Sequence, residues 1–138
     1  MTFKYAHIAQ YMMATQWALL PEKMSDLLAV FAHRAAGHEF TPEEIQARIG
    51  DRGRPIQASG GDIAVVPLRG VIAHRMGTLE ESSGGMSAER FTAMINAVAA
   101  DPQIGTILID VDSPGGTVPG VPEAADAVYA ARQTKTVI

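Results

Sequence analysis

Residues 107–116, Ile-Leu-Ile-Asp-Val-Asp-Ser-Pro-Gly-Gly, carry the strongest signal for the fold of this chain. The apolar residues from Ile107 to Val111 run on with little alternation, which is typical of a parallel strand buried on both faces. Pro114 lacks a backbone N–H and biases the residue before it away from helix, so we expect the strand to end there.

The next two residues, Gly115 and Gly116, leave no side chain over their backbone N–H groups. A turn at the carboxyl end of a parallel strand, beside the start of a helix, can hold an anion or an oxyanion on such N–H groups. The alternative is an ordinary tight turn between a strand and a helix, because glycines often mark loops without further function.

The residues around this stretch predict an α/β unit. Apolar residues predict a strand from Ile63 to Leu68 and a short second piece from Val71 to Ala73. A mobile loop is predicted over residues 74–86. Ser87 is placed to cap a helix, and an alanine-rich helix is predicted from Thr117 to Arg132. The apolar face of the first of these helices is predicted to consist of Phe91, Met94, Ile95 and Val98.

The first part of the chain predicts a separate helical segment. Two helices are expected over residues 5–36, the second ending near Gly37, and the residues Thr41 to Glu44 form a capping box that opens a short helix to Ile49. Residues 51–61 are polar and glycine-rich. We therefore divide the chain into a helical segment (1–50), a linker (51–61) and the α/β unit (62–138).

Composition excludes several classes of function. The chain has 138 residues, a net charge of −4 and no run among its eleven basic residues, so nucleic-acid binding has no electrostatic support. It has no cysteine, and its four histidines show no ligand spacing, so we expect no metal and no cofactor. No apolar stretch is long enough for a membrane anchor, and the N-terminus lacks the pattern of a secretory signal.

Asp-Ser-Pro-Gly-Gly after a buried strand, followed by Gly120 and by Glu123 to Asp126, resembles the S49 family of serine peptidases. The branch of phage capsid (head maturation) proteases looks closest. Its members are similar to this chain over roughly residues 60–138, and more weakly at Trp17 to Pro21. The further segments that resemble this branch are 63–72, 82–87 and 100–102.

The resemblance implies a Clp protease/crotonase-type fold and a serine peptidase that processes phage capsid or scaffold proteins. It implies a Ser/Lys dyad located beyond Ile138, a backbone oxyanion site at Gly115 and Gly116, and substrate binding at Ser113 and Pro114. It also implies a homo-oligomer in the host cytoplasm or the phage procapsid. On this basis we expect residues 1–138 alone to be inactive. The α/β part has only about 80 residues, close to the lower limit for a self-sufficient core, so we also expect these residues to be marginally stable or to associate.

Three further residue types invite a chemical interpretation. We place Asp110 and Asp112 on opposite faces of the strand end and predict that they cap the turn and the helix start. Ser113 has proline beside it and no adjacent base, so a turn hydrogen bond is predicted for it in place of a nucleophilic role. Lys135 is predicted to be a solvated surface charge.

Two other functions stay open from the sequence. One is a non-catalytic capsid-assembly or binding module, whose N-terminal helices would dock onto a capsid component. The other is a crotonase-type acyl-CoA enzyme, in which the glycine turn would hold a thioester enolate. The residues beyond Ile138 distinguish the three functions, because only the peptidase requires a serine and a lysine there.

Overall fold

The computed structural model describes residues 5–38, 40, 41, 44, 62–76 and 85–138. The chain contains both helices and strands, in agreement with the predicted α/β class. In chain order the elements are α1 (Ala6–Ala14), β1 (Trp17–Leu19), α2 (Pro21–Ala35), β2 (Ile63–Arg69), β3 (Ile72–Ala73), β4 (Met86–Ser87), α3 (Ala88–Ala100), β5 (Thr106–Asp112), β6 (Gly115–Thr117), α4 (Val121–Ala131) and β7 (Thr136–Val137).

A three-stranded parallel sheet forms the centre of the α/β unit. Its strand order is β2-β5-β7, and β2 pairs with β5 over its whole length, from Ile63 opposite Thr106 to Arg69 opposite Asp112. The predicted strand over residues 63–68 is confirmed. The helices α3 and α4 connect the parallel strands, and together with β2 and β5 they enclose a core of Val66, Phe91, Ile95, Ile107, Ala127 and Ala131.

Helix α3 forms as its sequence predicts. The Ser87 hydroxyl accepts a hydrogen bond from the Arg90 N–H at 3.3 Å, which satisfies one of the free N–H groups at the start of the helix. Phe91 and Ile95 are buried, and Met94 and Val98 pack partly buried against the same core. Burying a large apolar side chain contributes about 1.5–3 kcal/mol, so this face fixes α3 against the sheet.

Strand β5 is buried on one face only, which corrects the prediction of burial on both. Ile107 is fully buried beneath the helices, whereas Leu108, on the opposite face, is 37% exposed. Val111 shares the face of Ile107 but is 62% exposed, because it lies at the end of the strand beyond the packed helices. The apolar run thus correctly predicts a strand, but the described residues do not cover its second face.

A second, mixed sheet has the strand order β1-β6-β3-β4. In it β6 pairs antiparallel with β1 and parallel with β3. The sequence prediction missed β1 entirely and assigned Thr117 to the following helix. That helix begins instead at Val121, after Gly120 in the left-handed conformation with φ of +87°. Gly115 and Gly116 are therefore strand residues, not residues at a helix start.

The N-terminal segment contains the two predicted helices. Helix α2 begins at Pro21 and ends just before Gly37, whose φ of +88° is suited to glycine. The Thr41 N–H donates to the Glu44 carboxylate at 2.9 Å and the Glu44 N–H to the Thr41 hydroxyl at 3.2 Å, which confirms the capping box. The helix predicted to follow it, the linker over 51–61 and most of the loop between β3 and β4 lie outside the described residues.

Candidate functional site

The turn after β5 is held by Gly70, the residue next to the end of β2. The Gly70 N–H donates to the Asp112 carbonyl at 2.9 Å, and the Gly70 carbonyl accepts the Ser113 hydroxyl at 2.6 Å. The same hydroxyl accepts a bond from the Gly115 N–H at 3.1 Å. Ser113 therefore makes the turn hydrogen bonds predicted for it. Pro114 also contributes its carbonyl oxygen, which accepts the Leu20 N–H at 3.0 Å.

The two glycines of β6 lie where three backbones meet. Gly115 has a φ of +106°, a conformation that side-chain-bearing residues rarely adopt, and a Cβ there would overlap the carbonyl oxygen of Ala18. At Gly116 a Cβ would overlap the carbonyl oxygen of Ile72. Glycine is thus required at both positions because β1 and β3 approach β6 more closely than any side chain permits.

The hydrogen bonds at the two ends of the β1–β6 ladder show which of its residue pairs are hydrogen-bonded. Leu20 donates to Pro114, and Val118 donates to the Gln16 carbonyl at 2.9 Å. Hydrogen-bonded pairs alternate along an antiparallel ladder, so the pair between these two ends, Ala18 opposite Gly116, is also hydrogen-bonded. The Gly116 N–H therefore points at the Ala18 carbonyl oxygen.

The predicted bare N–H groups are consequently engaged in this structure. The Gly115 N–H bonds to the Ser113 hydroxyl within the turn. The Gly116 N–H faces the outer edge of β6, where the three residues of β1 lie. Of the two, only Gly116 presents its N–H to a group that another extended peptide could replace.

His74 connects β6, the strand that contains Gly115 and Gly116 (the glycine strand), to the start of helix α3. Its N–H donates to the hydroxyl of the buried Thr117 at 3.2 Å, and its carbonyl accepts the Ser87 hydroxyl at 3.3 Å. Within the described part of the chain, its buried Nδ1 has no hydrogen-bond partner. A Cβ at Gly120 would overlap this imidazole. Sequence analysis did not distinguish His74 from the other three histidines, because no local sequence pattern reveals this contact.

The charged residues near the site differ from their predicted roles. Asp110 pairs with the Arg69 side chain across β2 and β5, so it does not cap the turn. The prediction that Asp110 and Asp112 lie on opposite faces is wrong, because residues two apart on a strand share a face. Lys135 is not a free surface charge: its ammonium donates to the Asp101 carbonyl at 2.6 Å and also to the Ile104 carbonyl.

An apolar groove of about 660 Å³ adjoins the turn, between the carboxyl end of the parallel sheet and helix α4. Val111, two residues before Ser113, lies in its wall. Val121 and Tyr129 of α4 and Ile138 at the end of the chain line it too, and all four side chains are substantially exposed. The lining is mainly apolar, and Arg132 is the charged residue in it, so the groove offers chiefly apolar contact.

Other kinds of site were sought over the same described ranges. They contain no cluster of three or more His, Asp or Glu side chains that could hold a metal ion. None of their helices combines the length and the hydropathy needed to cross a bilayer.

The parallel sheet flanked by helices, with the glycine strand at the carboxyl end of β5, fits the Clp protease/crotonase type of α/β fold. The chain is 33% identical over 109 residues to the capsid assembly protease C of Escherichia phage lambda, covering 74% of this chain and 25% of that protein. It is 39% identical over 75 residues to the head-tail preconnector protein GP5 of Enterobacteria phage P21, covering 54% of this chain and 15% of that protein.

These similarities support the predicted relationship to phage capsid maturation proteases. The chain spans a quarter or less of the length of the two curated relatives. No protein-family model matches the chain, and no solved structure matches it.

Proposed function

We propose that the chain is part of a serine peptidase of the S49 type that processes capsid or scaffold proteins during phage head maturation. The observation on which this rests most directly is the glycine strand itself. In it the Gly116 N–H faces the outer edge of β6, which already carries an extended segment, β1, in this structure. The similarity to a capsid assembly protease supports the same reaction class.

In the proposed mechanism a serine attacks the carbonyl carbon of the substrate while a lysine accepts the serine proton. We propose that both residues lie beyond Ile138 and that residues 1–138 supply the oxyanion site. The negative oxygen of the tetrahedral intermediate accepts a hydrogen bond from the Gly-Gly pair, with Gly116 as the favoured donor. One preorganised donor of this kind contributes about 10²- to 10³-fold in rate.

Ser113 and Pro114 are proposed to act in substrate binding through the backbone they position. The Ser113 hydroxyl holds the turn to Gly70 and fixes Gly115. The neighbouring apolar groove is a candidate for substrate side chains or for contacts between subunits of a homo-oligomer. No metal or nucleotide takes part in this mechanism.

The reaction class is tested on the intact product of the full reading frame. Purified with its own capsid protein, it should cleave that protein and should be labelled by a fluorophosphonate probe at a serine outside residues 1–138. The isolated chain, treated in the same way, should remain unlabelled. Absence of both cleavage and labelling in the intact product would favour the non-catalytic assembly module.

The oxyanion assignment cannot be tested by replacing Gly116, because a side chain there would overlap the backbone of Ile72 and disturb the fold. A spectroscopic measurement on the unchanged residue is needed. In the fluorophosphonate adduct of the intact protein, the phosphoryl oxygen takes the place of the oxyanion. The amide proton of Gly116 should then shift markedly in an NMR spectrum, while the amide of Gly105, at the far end of β5, should not. Equal and small shifts at the two glycines would contradict the assignment.

A further inference from the structure

The outer edge of β6, where the proposed function places a peptide substrate, is occupied by residues Trp17–Leu19 of the same chain. We propose that this segment, β1, is a pseudo-substrate strand that closes the peptide site until it is displaced. The inference rests on the proposed function for its consequence, which is regulation of peptidase activity. The occupancy itself is independent of any catalysis.

The backbone geometry is that of an extended peptide bound to a strand edge. Trp17, Ala18 and Leu19 lie antiparallel to Thr117, Gly116 and Gly115, and the carbonyl of Ala18 faces the Gly116 N–H. That carbonyl therefore occupies the position proposed for the scissile carbonyl of a substrate. A peptide can reach the Gly116 N–H only after β1 has left.

The glycine at position 115 fits a peptide at this edge. Its missing side chain leaves room for the Ala18 carbonyl oxygen, which a Cβ would overlap. Backbone contact of this kind depends little on side chains, so an extended segment of another sequence can meet the same requirement. In the present structure Ala18 provides the carbonyl oxygen, and its own side chain is exposed.

The attachment of β1 is weak enough to be reversible. No residue of the flanking helices α1 and α2 is buried, so they add little apolar burial to hold the strand in place. Trp17 makes its side-chain contacts within the N-terminal segment: its Nε1–H donates to the Met12 carbonyl at 3.0 Å, and its ring meets that of Tyr11 edge-on at 6.5 Å. The hydrogen bonds that join the segment to β6 and to the residues next to it are backbone bonds.

The test compares two proline variants of the 138-residue chain. Ala18→Pro removes the N–H that faces the Gly116 carbonyl, whereas Leu19→Pro removes an N–H that points away from β6 and serves as the matched control. A fluorescein-labelled peptide with the sequence of residues 15–21 is the probe. It should bind Ala18→Pro at least about tenfold more tightly than the unchanged chain or Leu19→Pro, since a vacant site no longer has to be opened.

A second variant leaves the strand backbone unaltered. Trp17→Ala removes the contacts with Met12 and Tyr11 that hold β1 against α1. The strand is then less ordered before it pairs, so it should compete less well with the peptide, and peptide affinity should rise. Protection of the Gly116 amide from hydrogen exchange should fall in both variants and return when the peptide is added. If neither variant binds the peptide while the resonances of the core residues Val66 and Ile95 are unchanged, the proposal is wrong.

The readouts separate this inference from the proposed function. If the variants bind the peptide but the intact product neither cleaves its capsid protein nor reacts with the probe, the self-occupied peptide site is supported and the peptidase is contradicted. If the intact product cleaves but neither variant binds the peptide, the peptidase is supported and the pseudo-substrate strand is contradicted.

Discussion

At the scale of single residues, the two glycines of β6 are required for different reasons. Gly115 adopts a φ of +106°, so its requirement is conformational as well as steric. Gly116 has no such φ, and its requirement comes from the Ile72 backbone that lies against it. The Gly-Gly dipeptide predicts an oxyanion turn, and it also allows β6 to pack closely between two neighbouring strands.

Replacing Gly116 by alanine should destabilise the chain by about 1–3 kcal/mol, because its Cβ would force β6 away from β3. Gly105→Ala is the matched control, since its Cβ would meet only the carboxylate end of the Asp62 side chain, which can rotate away. Urea unfolding followed by circular dichroism measures both. Equal stability of the two variants would show that the β3–β6 contact is looser than described.

At the scale of secondary-structure elements, local and long-range elements differ in how they form. Helix α3 has its own cap, its own apolar face and thirteen residues, so its sequence specifies it. Strand β1 has three residues and forms because β6 provides a partner nearly a hundred positions away. Short strands of this kind gain their stability from pairing and not from intrinsic propensity.

Ser87→Ala should lower the free energy of unfolding by about 0.5–2 kcal/mol, because the Arg90 N–H loses its cap. The change also removes the hydroxyl bond to the His74 carbonyl. The control is Ser25→Ala in the exposed helix α2, where the hydroxyl bonds only to a carbonyl of its own helix. Thermal unfolding should distinguish the two variants, and a larger loss for Ser25→Ala would contradict the role of the cap.

At the scale of the whole molecule, several large apolar side chains around one groove are exposed to water. Tyr129 is 66% exposed and Val111 62%, and both line the same groove beside α4. An exposed apolar groove is a candidate interaction site. It agrees with our expectation that these residues alone are marginally stable or associate.

We expect the isolated chain to self-associate as its concentration rises, and Tyr129→Ser to weaken that association. Leu28→Ser is the control, because Leu28 is exposed to a similar degree on α2, outside the groove. Sedimentation velocity over a wide concentration range gives the measurement. A monomer at every concentration, with a sharp and reversible thermal transition, would overturn the expectation.

Local sequence signals were enough to predict the parallel strands, helix α3 and the turn at Ser113. These signals are a continuous apolar run, a cap before an apolar face, and proline before glycine. They did not reveal β1, although Pro21 disfavours helix for the residue before it and so hinted at extended backbone near Leu20. They also misplaced Thr117 and the start of α4, since alanine-rich sequence suits a helix wherever one can begin.

The surroundings of the two glycines became visible only in the folded chain. The partners of their N–H groups, the Asp110–Arg69 pair and the position of His74 behind Thr117 depend on how the strands meet. Periodicity and propensity describe neighbours along the chain, whereas such contacts depend on the register of strand pairs. The oxyanion site proposed at Gly115 and Gly116 is therefore a prediction from the local sequence, whereas access to these residues depends on which strand lies against them.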